Sequence, residues 1–185
     1  FHKGIKIIKD HGDLLGVTIE GHERYWNLID KKKEDILNSW LYVNSTHTLD
    51  LLRFFGGEIP KIKNFSVNRF NKYGDQFAMI LEYKSKTIGS YISHWNSPGG
   101  WSVKLYGNGV TVEFKPLESG KWYEKDLNEF EIIPDQEDIQ YKQGFYKQMI
   151  AFGNLIKTKT KVWPLSDLDD SYNTMKLAES IILKD

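Results

Sequence analysis

The chain has 185 residues, a length suited to one domain, and its 40% apolar and 14% aromatic content can bury enough surface to fold. Twenty-five basic residues balance 25 acidic ones, so no net field draws it to nucleic acid or to an anionic membrane, and no apolar run reaches membrane-spanning length. With no cysteine it can hold no disulfide and no thiolate, which fits a reducing compartment such as the cytoplasm.

Residues 1 to 57 alternate helix and strand. The chain opens at Phe1, with a helical pattern starting at once, as in a chain cut from something longer. Ile5 and Ile8 followed by Gly12 predict a short helix with a glycine cap. Val17, Ile19 and Gly21 then alternate inward against Thr18, Glu20 and His22, a strand pattern. The polar stretch "NLIDKKKEDILNSW" reads as an excursion loop with room for a short helix, its Lys31-Lys32-Lys33 run in solvent. A second helix is predicted in "STHTLDLLRFFGGEI", with Leu49, Leu52 and Phe55 facing the core. Ser45 or Thr46 is its expected N-cap and Gly56-Gly57 its end.

Residues 58 to 133 supply six strand-like runs rich in β-branched and aromatic residues, from "KIKNFSVNRFN" to "EFEIIP". Turn formers separate them, among them Ser97-Pro98-Gly99-Gly100 and Gly107-Asn108-Gly109. Connections this short exclude parallel crossovers and predict one broad antiparallel meander. Residues 137 to 185 return to helix. Tyr141, Phe145, Met149, Phe152 and Ile156 form one stripe, and the loop "KTKTKVWP" follows. Ser166 and Asp169 resemble a capping box, and Leu168, Tyr172, Met175, Ala178 and Ile182 form a second stripe. The expected class is α+β: an open, predominantly antiparallel sheet with helices on one face, residues 1 to 185 forming one domain. Tyr91, His94, Trp95, Trp101 and Tyr106 are expected on the other face, an aromatic surface of the kind that marks an interface.

The chemistry narrows by elimination. The five histidines, His2, His11, His22, His47 and His94, form no pair at metal-ligand spacing, so no metal site is expected. No G-x-S-x-G, G-x-G-x-x-G or G-x-x-x-x-G-K-[ST] occurs; "GNG" at 107 to 109 is a hairpin turn, and Asp169-Asp170 suit a helix start. His47 remains. At a helix N-terminus the partial positive charge disfavours imidazolium, and neutral imidazole suits a general base toward a hydroxyl. A hydrogen-bonded structural histidine fits the same residues, and the residues alone leave both readings open.

"NSTHTLDLLRFFGGEI" resembles the H-x-(L/I)-D-L-(L/I)-R-(F/W)-(L/F)-x-G signature in the C-terminal domain of the glucose–fructose oxidoreductase/inositol dehydrogenase (Gfo/Idh/MocA) family. "FHKGIKIIKDHGDLLGVTIE" is similar to that family's crossover into its second domain. "SHWNSPGGWSVKLYGNGVTVEFKPLE" is similar to one of its strand pairs, and "GFYKQMIAFGNLI" with "PLSDLDDSYNTMKLAESI" to its closing helices. The resemblance implies a parent with an N-terminal Rossmann domain that binds NAD or NADP, which this chain lacks and without which it is expected to be inactive. It also implies a sugar, cyclitol or nucleotide-sugar substrate between the domains, and sheets stacked face to face into homodimers or homotetramers. His47 takes the place of the acid/base on the reacting hydroxyl. The family often carries an aspartate four residues before that histidine; Val43 stands there instead. Asn44, Ser45, Arg24 and Trp26 are the expected substrate contacts, from their closeness to His47 or to the exit of the first strand. For Arg24 a surface salt bridge, and for Trp26 a core or interface anchor, compete with that role. No cofactor is expected on this chain alone, and neither nucleic acid nor membrane as partner. The competing class is a non-enzymatic, self-associating sheet domain that binds a protein or carbohydrate.

Overall fold

The strand-like runs join into one sheet of eight strands whose order departs from the expected meander. The computed structural model describes residues 1–162 and 165–182. Helix α1 (His2–Asp10) leads to β1 (Leu14–Gly21); α2 (Glu34–Asn38) and α3 (Thr46–Gly56) follow. The strands β2 (Lys61–Val67), β3 (Gln76–Glu82), β4 (Ile88–His94), β5 (Trp101–Gly107), β6 (Val110–Phe114), β7 (Gly120–Glu124) and β8 (Glu129–Ile132) come next. Helices α4 (Gln136–Gln140), α5 (Phe145–Thr158) and α6 (Leu168–Ile182) close the chain. The spatial order is β2-β3-β4-β1-β5-β6-β7-β8. β1 lies parallel to β4 and antiparallel to β5, and every other pair is antiparallel. The fold is α+β with an open, predominantly antiparallel sheet. No helix among the described residues is long and apolar enough to cross a membrane.

The meander fails at β1 for a physical reason. Residues 95–100 between β4 and β5 can reach about 20 Å when extended. Two strand spacings are only about 10 Å. A short connection fixes the opposite direction of β4 and β5 without making them neighbours, and β1 fills the gap. β7 lies outside the expected runs: "GKWYE" has five residues and opens on a glycine that reads as part of a turn.

One face of the sheet carries the core. Val17 and Ile19, Phe77, Met79 and Leu81, Val103 and Leu105, and Val112 and Phe114 are buried with Leu49 and Leu52 of α3, Ile8 of α1 and Leu177, Ala178 and Ile181 of α6. Burial of each leucine contributes about 1.5–3 kcal/mol. Gly21 permits a close approach of strand and core: a Cβ there would lie 2.5 Å from the Tyr91 hydroxyl.

The aromatic open face requires correction. Tyr91 and Trp95 are buried on the helix side, and Trp101, paired with the inward Gly21, lies on that side too. Only His94 and Tyr106 face outward. Residues 91 and 94 have opposite parity in a strand and cannot share a face. The open face is instead divided. Phe65, Val67, Ile80, Ile88 and Ile92 make its β2–β4 part apolar. Across β5–β8, Lys104 pairs with Glu113 at 3.4 Å and Lys121 with Glu129 at 3.2 Å.

The C-terminal helices also differ from expectation. The predicted long stripe is split, with Tyr141 just past α4, and α5 buries no residue at all. In α6 the buried side is Thr174, Leu177, Ala178 and Ile181, while Leu168, Tyr172 and Met175 are exposed. Its reciprocal cap is Asp167 with Asp170, not Ser166 with Asp169: Asp170 N–H donates to Asp167 Oδ1 at 3.0 Å, and Asp167 N–H to Asp170 Oδ2 at 3.4 Å. The Trp163-Pro164 end of the predicted loop lies outside the described residues.

Candidate functional site

The site forms where β1 ends, β5 begins and α3 starts. The expected cap of α3 is absent. Residues Leu41–Ser45 form a π-helical turn that runs straight into α3, and Ser45 has helical backbone angles with no side-chain cap. Thr46 Oγ1 donates back to the Tyr42 carbonyl at 3.2 Å, and Thr48 Oγ1 to that of Ser45 at 2.8 Å. His47 therefore stands inside a continuous helical segment and not at a free helix N-terminus, so the helix-end argument for a neutral imidazole loses its basis. π-Turns of this kind recur at functional sites.

His47 is exposed, with its ring centroid 6.1 Å from that of Trp101 at 45°. Asn44, half-buried, donates from Nδ2 to Glu23 Oε1 at 2.8 Å, and Trp101 donates from Nε1 to the same oxygen at 3.1 Å. Glu23 is 9% exposed, and burial raises its pKa. The Trp101 and Asn44 hydrogen bonds pull the other way, as does the Trp40 indole N–H, which has no hydrogen bond of standard geometry. Beneath them, Thr48 Oγ1 meets the Tyr91 hydroxyl at 3.2 Å, and burial raises that phenol's pKa.

The expected site residues separate into two groups. His47 and Asn44 belong to one cluster. Ser45 is completely buried, so its hydroxyl is part of the layer under the site and not a surface contact. Arg24 and Trp26 are exposed on the stretch leaving β1, where Arg24 pairs through its backbone with Asn96; neither shares a hydrogen bond, ion pair or ring contact with His47. Of the competing readings, no salt bridge of Arg24 appears among the described contacts, and Trp26, 41% exposed, is not a core anchor.

Glu23, Trp101 and Trp40 were not expected here. Trp101 lies on the helix side of the sheet and not on the open face expected for it. Glu23 sits in polar "GHERYW", where nothing in the sequence marks one acid as buried. The neighbours of His47 in the signature prove structural. Arg53 Nη1 donates to the Asp170 carbonyl at 2.7 Å and to Thr174 Oγ1 at 2.9 Å, and Thr174 donates to Asp50 Oδ1 at 2.6 Å, tying α3 to α6.

On the open side of the same sheet end, His22 and His94 stack at 5.5 Å and 5°, with burial the main cause lowering the pKa of His22. Two open cavities, of about 540 and 310 Å³, lie elsewhere: at the far end of α3 by Phe55 and Thr87, and between α1 and β8 by Ile7 and Ile132.

No protein-family model matches the chain, and no curated protein matches its sequence. Solved structures do. A levoglucosan dehydrogenase in complex with NADH and levoglucosan superposes with a TM-score of 0.75 at 14% identity, over 97% of this chain and 59% of that one. The UDP-N-acetylglucosamine 3-dehydrogenase GnnA from Acidithiobacillus ferrooxidans gives 0.73 at 12%, over 97% and 57%. A dehydrogenase, MviM, from Clostridium difficile gives 0.69 at 19%, over 97% and 58%. The chain thus has the fold of the C-terminal domain of Gfo/Idh/MocA-type oxidoreductases, and it spans less than three fifths of each of these proteins.

Proposed function

We propose that the chain is the substrate-binding and self-associating domain of an NAD(P)-dependent oxidoreductase acting on a CH–OH group of a sugar, cyclitol or nucleotide sugar. The observation that carries this reading is the exposed imidazole of His47 beside the Trp101 ring, set at one end of the sheet in a fold shared with sugar dehydrogenases.

The chain's sequence carries no standard cradle for a dinucleotide. It has no glycine-rich phosphate loop. The first turns of α2, α4 and α6 carry carboxylates, which repel phosphate, and the start of α3 is continuous with the π-turn; those of α1 and α5 carry no carboxylate, and neither follows a glycine-rich loop. NAD or NADP is therefore assigned to a domain outside this chain, and this chain alone is expected to bind neither and to be inactive. Its own contribution is the proton. The imidazole of His47 accepts it from the substrate hydroxyl in oxidation and returns it in reduction. Asn44 and the Trp101 face supply polar and stacking contacts; Arg24 and Trp26 border the same strand exit.

Self-association is assigned to the open face, through its apolar β2–β4 part, as homodimers or homotetramers. That surface is also what favours the second reading, a self-associating module without catalysis. Turnover decides between them. In a protein carrying the chain behind its nucleotide-binding domain, His47→Asn is expected to lower turnover by about two to four orders of magnitude with cofactor affinity unchanged. Normal turnover in that variant would refute the acid/base role.

A further inference from the structure

Among the described residues two carboxylates are buried, Asp75 and Glu23, and they are held differently. Asp75 Oδ2 accepts the backbone N–H groups of Arg69, Phe70 and Asn71 at 2.6–2.8 Å, closing a single local turn. Glu23 accepts no backbone donor. The groups facing it are side chains from three elements: Asn44 and Trp40 of the helical segment, Trp101 of β5 and Tyr91 of β4, with no cation among them. A carboxylate buried without a cation carries a desolvation cost that a neutral packing residue would not. In return it orients two particular side chains. Asn44 lies three residues before His47 and Trp101 lies against it, and both donate to one oxygen of Glu23.

We propose that Glu23 is a positioning residue of the His47 site, its carboxylate fixing the Trp101 indole beside the imidazole and the Asn44 amide three residues before it. With Nδ2 committed to Glu23, Asn44 presents its Oδ1 as an acceptor, and the indole, held by its N–H, keeps its ring beside His47. The role rests on the proposed use of this site for a ligand. The coupling itself can be read in the chain alone, without substrate or cofactor.

The experiment is a pH titration of the 185-residue chain followed by NMR, observing the Glu23 carboxyl carbon, the Trp101 indole N–H, the Asn44 side-chain amide and the His47 ring. In the wild type the indole and amide signals are expected to move together with the carboxyl carbon, through one midpoint above the ordinary glutamate range. In Glu23→Gln, whose amide brings a further donor to a place where donors converge, that common movement is lost and the His47 ring signals shift. Glu23→Asp keeps the charge one methylene short, and restores the common movement only in part. Trp101 and His47 signals unchanged in a folded Gln variant, or a stability loss without any movement of His47, would overturn the proposal. So would wild-type indole and amide signals that ignore the carboxyl titration, a readout that stands even if neither variant folds. Failure of the acid/base reading appears separately, as normal turnover of His47→Asn.

Discussion

Helices α3 and α5 look alike in sequence and behave as opposites in the fold. α3 has 11 residues, α5 has 14, and both carry apolar residues at helical spacing. α3 buries Leu49 and Leu52 completely against β1 and β4, and its Asp50 and Arg53 engage α6. α5 buries nothing: Phe145, Met149, Phe152 and Ile156 are each more than half exposed. Helical periodicity announces that a face is apolar; it does not say what covers that face. The largest expected difference follows directly. Leu52→Ala should cost about 2–5 kcal/mol of stability by urea denaturation, the usual range for a buried leucine. Phe152→Ala in the same chain should stay within about 0.5 kcal/mol, as at an unpacked surface position. Equal losses would mean that α5 is packed after all.

The end of α3 offers a sharper version. A Cβ on Gly56 would fall 2.1 Å from the Tyr83 ring, itself fully buried. Gly56→Ala is expected to cost about 1–3 kcal/mol by overpacking. Gly153, inside α5, has open space around it, so Gly153→Ala should instead stabilise by about 0.5–1 kcal/mol through helix propensity. A thermal or urea series on the two variants should therefore give shifts of opposite sign, and shifts of the same sign would break the comparison.

The same contrast marks how far the sequence could be read. The α+β class, the place of β1's inward residues and the helix bearing His47 were legible, because alternation and 3.6-residue spacing report the buried face directly. The insertion of β1 between β4 and β5 was not, since direction and adjacency are separate properties and only the first is set by a short loop. The π-turn was invisible because Trp40–Ser45 has no capping pattern distinct from a helix start. In the site, His47 stood out by its motif and Asn44 by closeness to it. Glu23 and Trp101 depend on contacts between residues 78 positions apart, and no local pattern encodes them.

Among the described residues the α5 face and the β2–β4 part of the open sheet face are both uncovered and apolar, and self-association separates them. If the sheet face is the one that pairs, Ile80→Lys should weaken association at least about tenfold, or 1.4 kcal/mol, in sedimentation at micromolar concentration. Phe152→Lys should leave the assembly unchanged. The reverse result would move the interface to α5.

The smallest expected effect concerns what holds α5 in place. Asp135 bridges Lys3 of α1, at 2.7 Å, and Lys147 of α5, and these two lysines hold its carboxyl at about 2, well below the usual range. Both pairs are partly exposed, and such pairs add little to global stability. Asp135→Asn should therefore leave the unfolding midpoint almost unmoved while hydrogen exchange at the amides of α5 accelerates. The pH dependence has a definite sign. A depressed carboxyl pKa means that the contribution is complete above the unfolded value near 3.8 and fades as pH falls toward 2. Wild-type α5 should then approach the exchange behaviour of the Asn variant in acid, while α3 keeps its protection for as long as the chain stays folded. Rapid exchange in α3 at the same pH would show the two helices to be one cooperative unit, and the contrast between them would be lost.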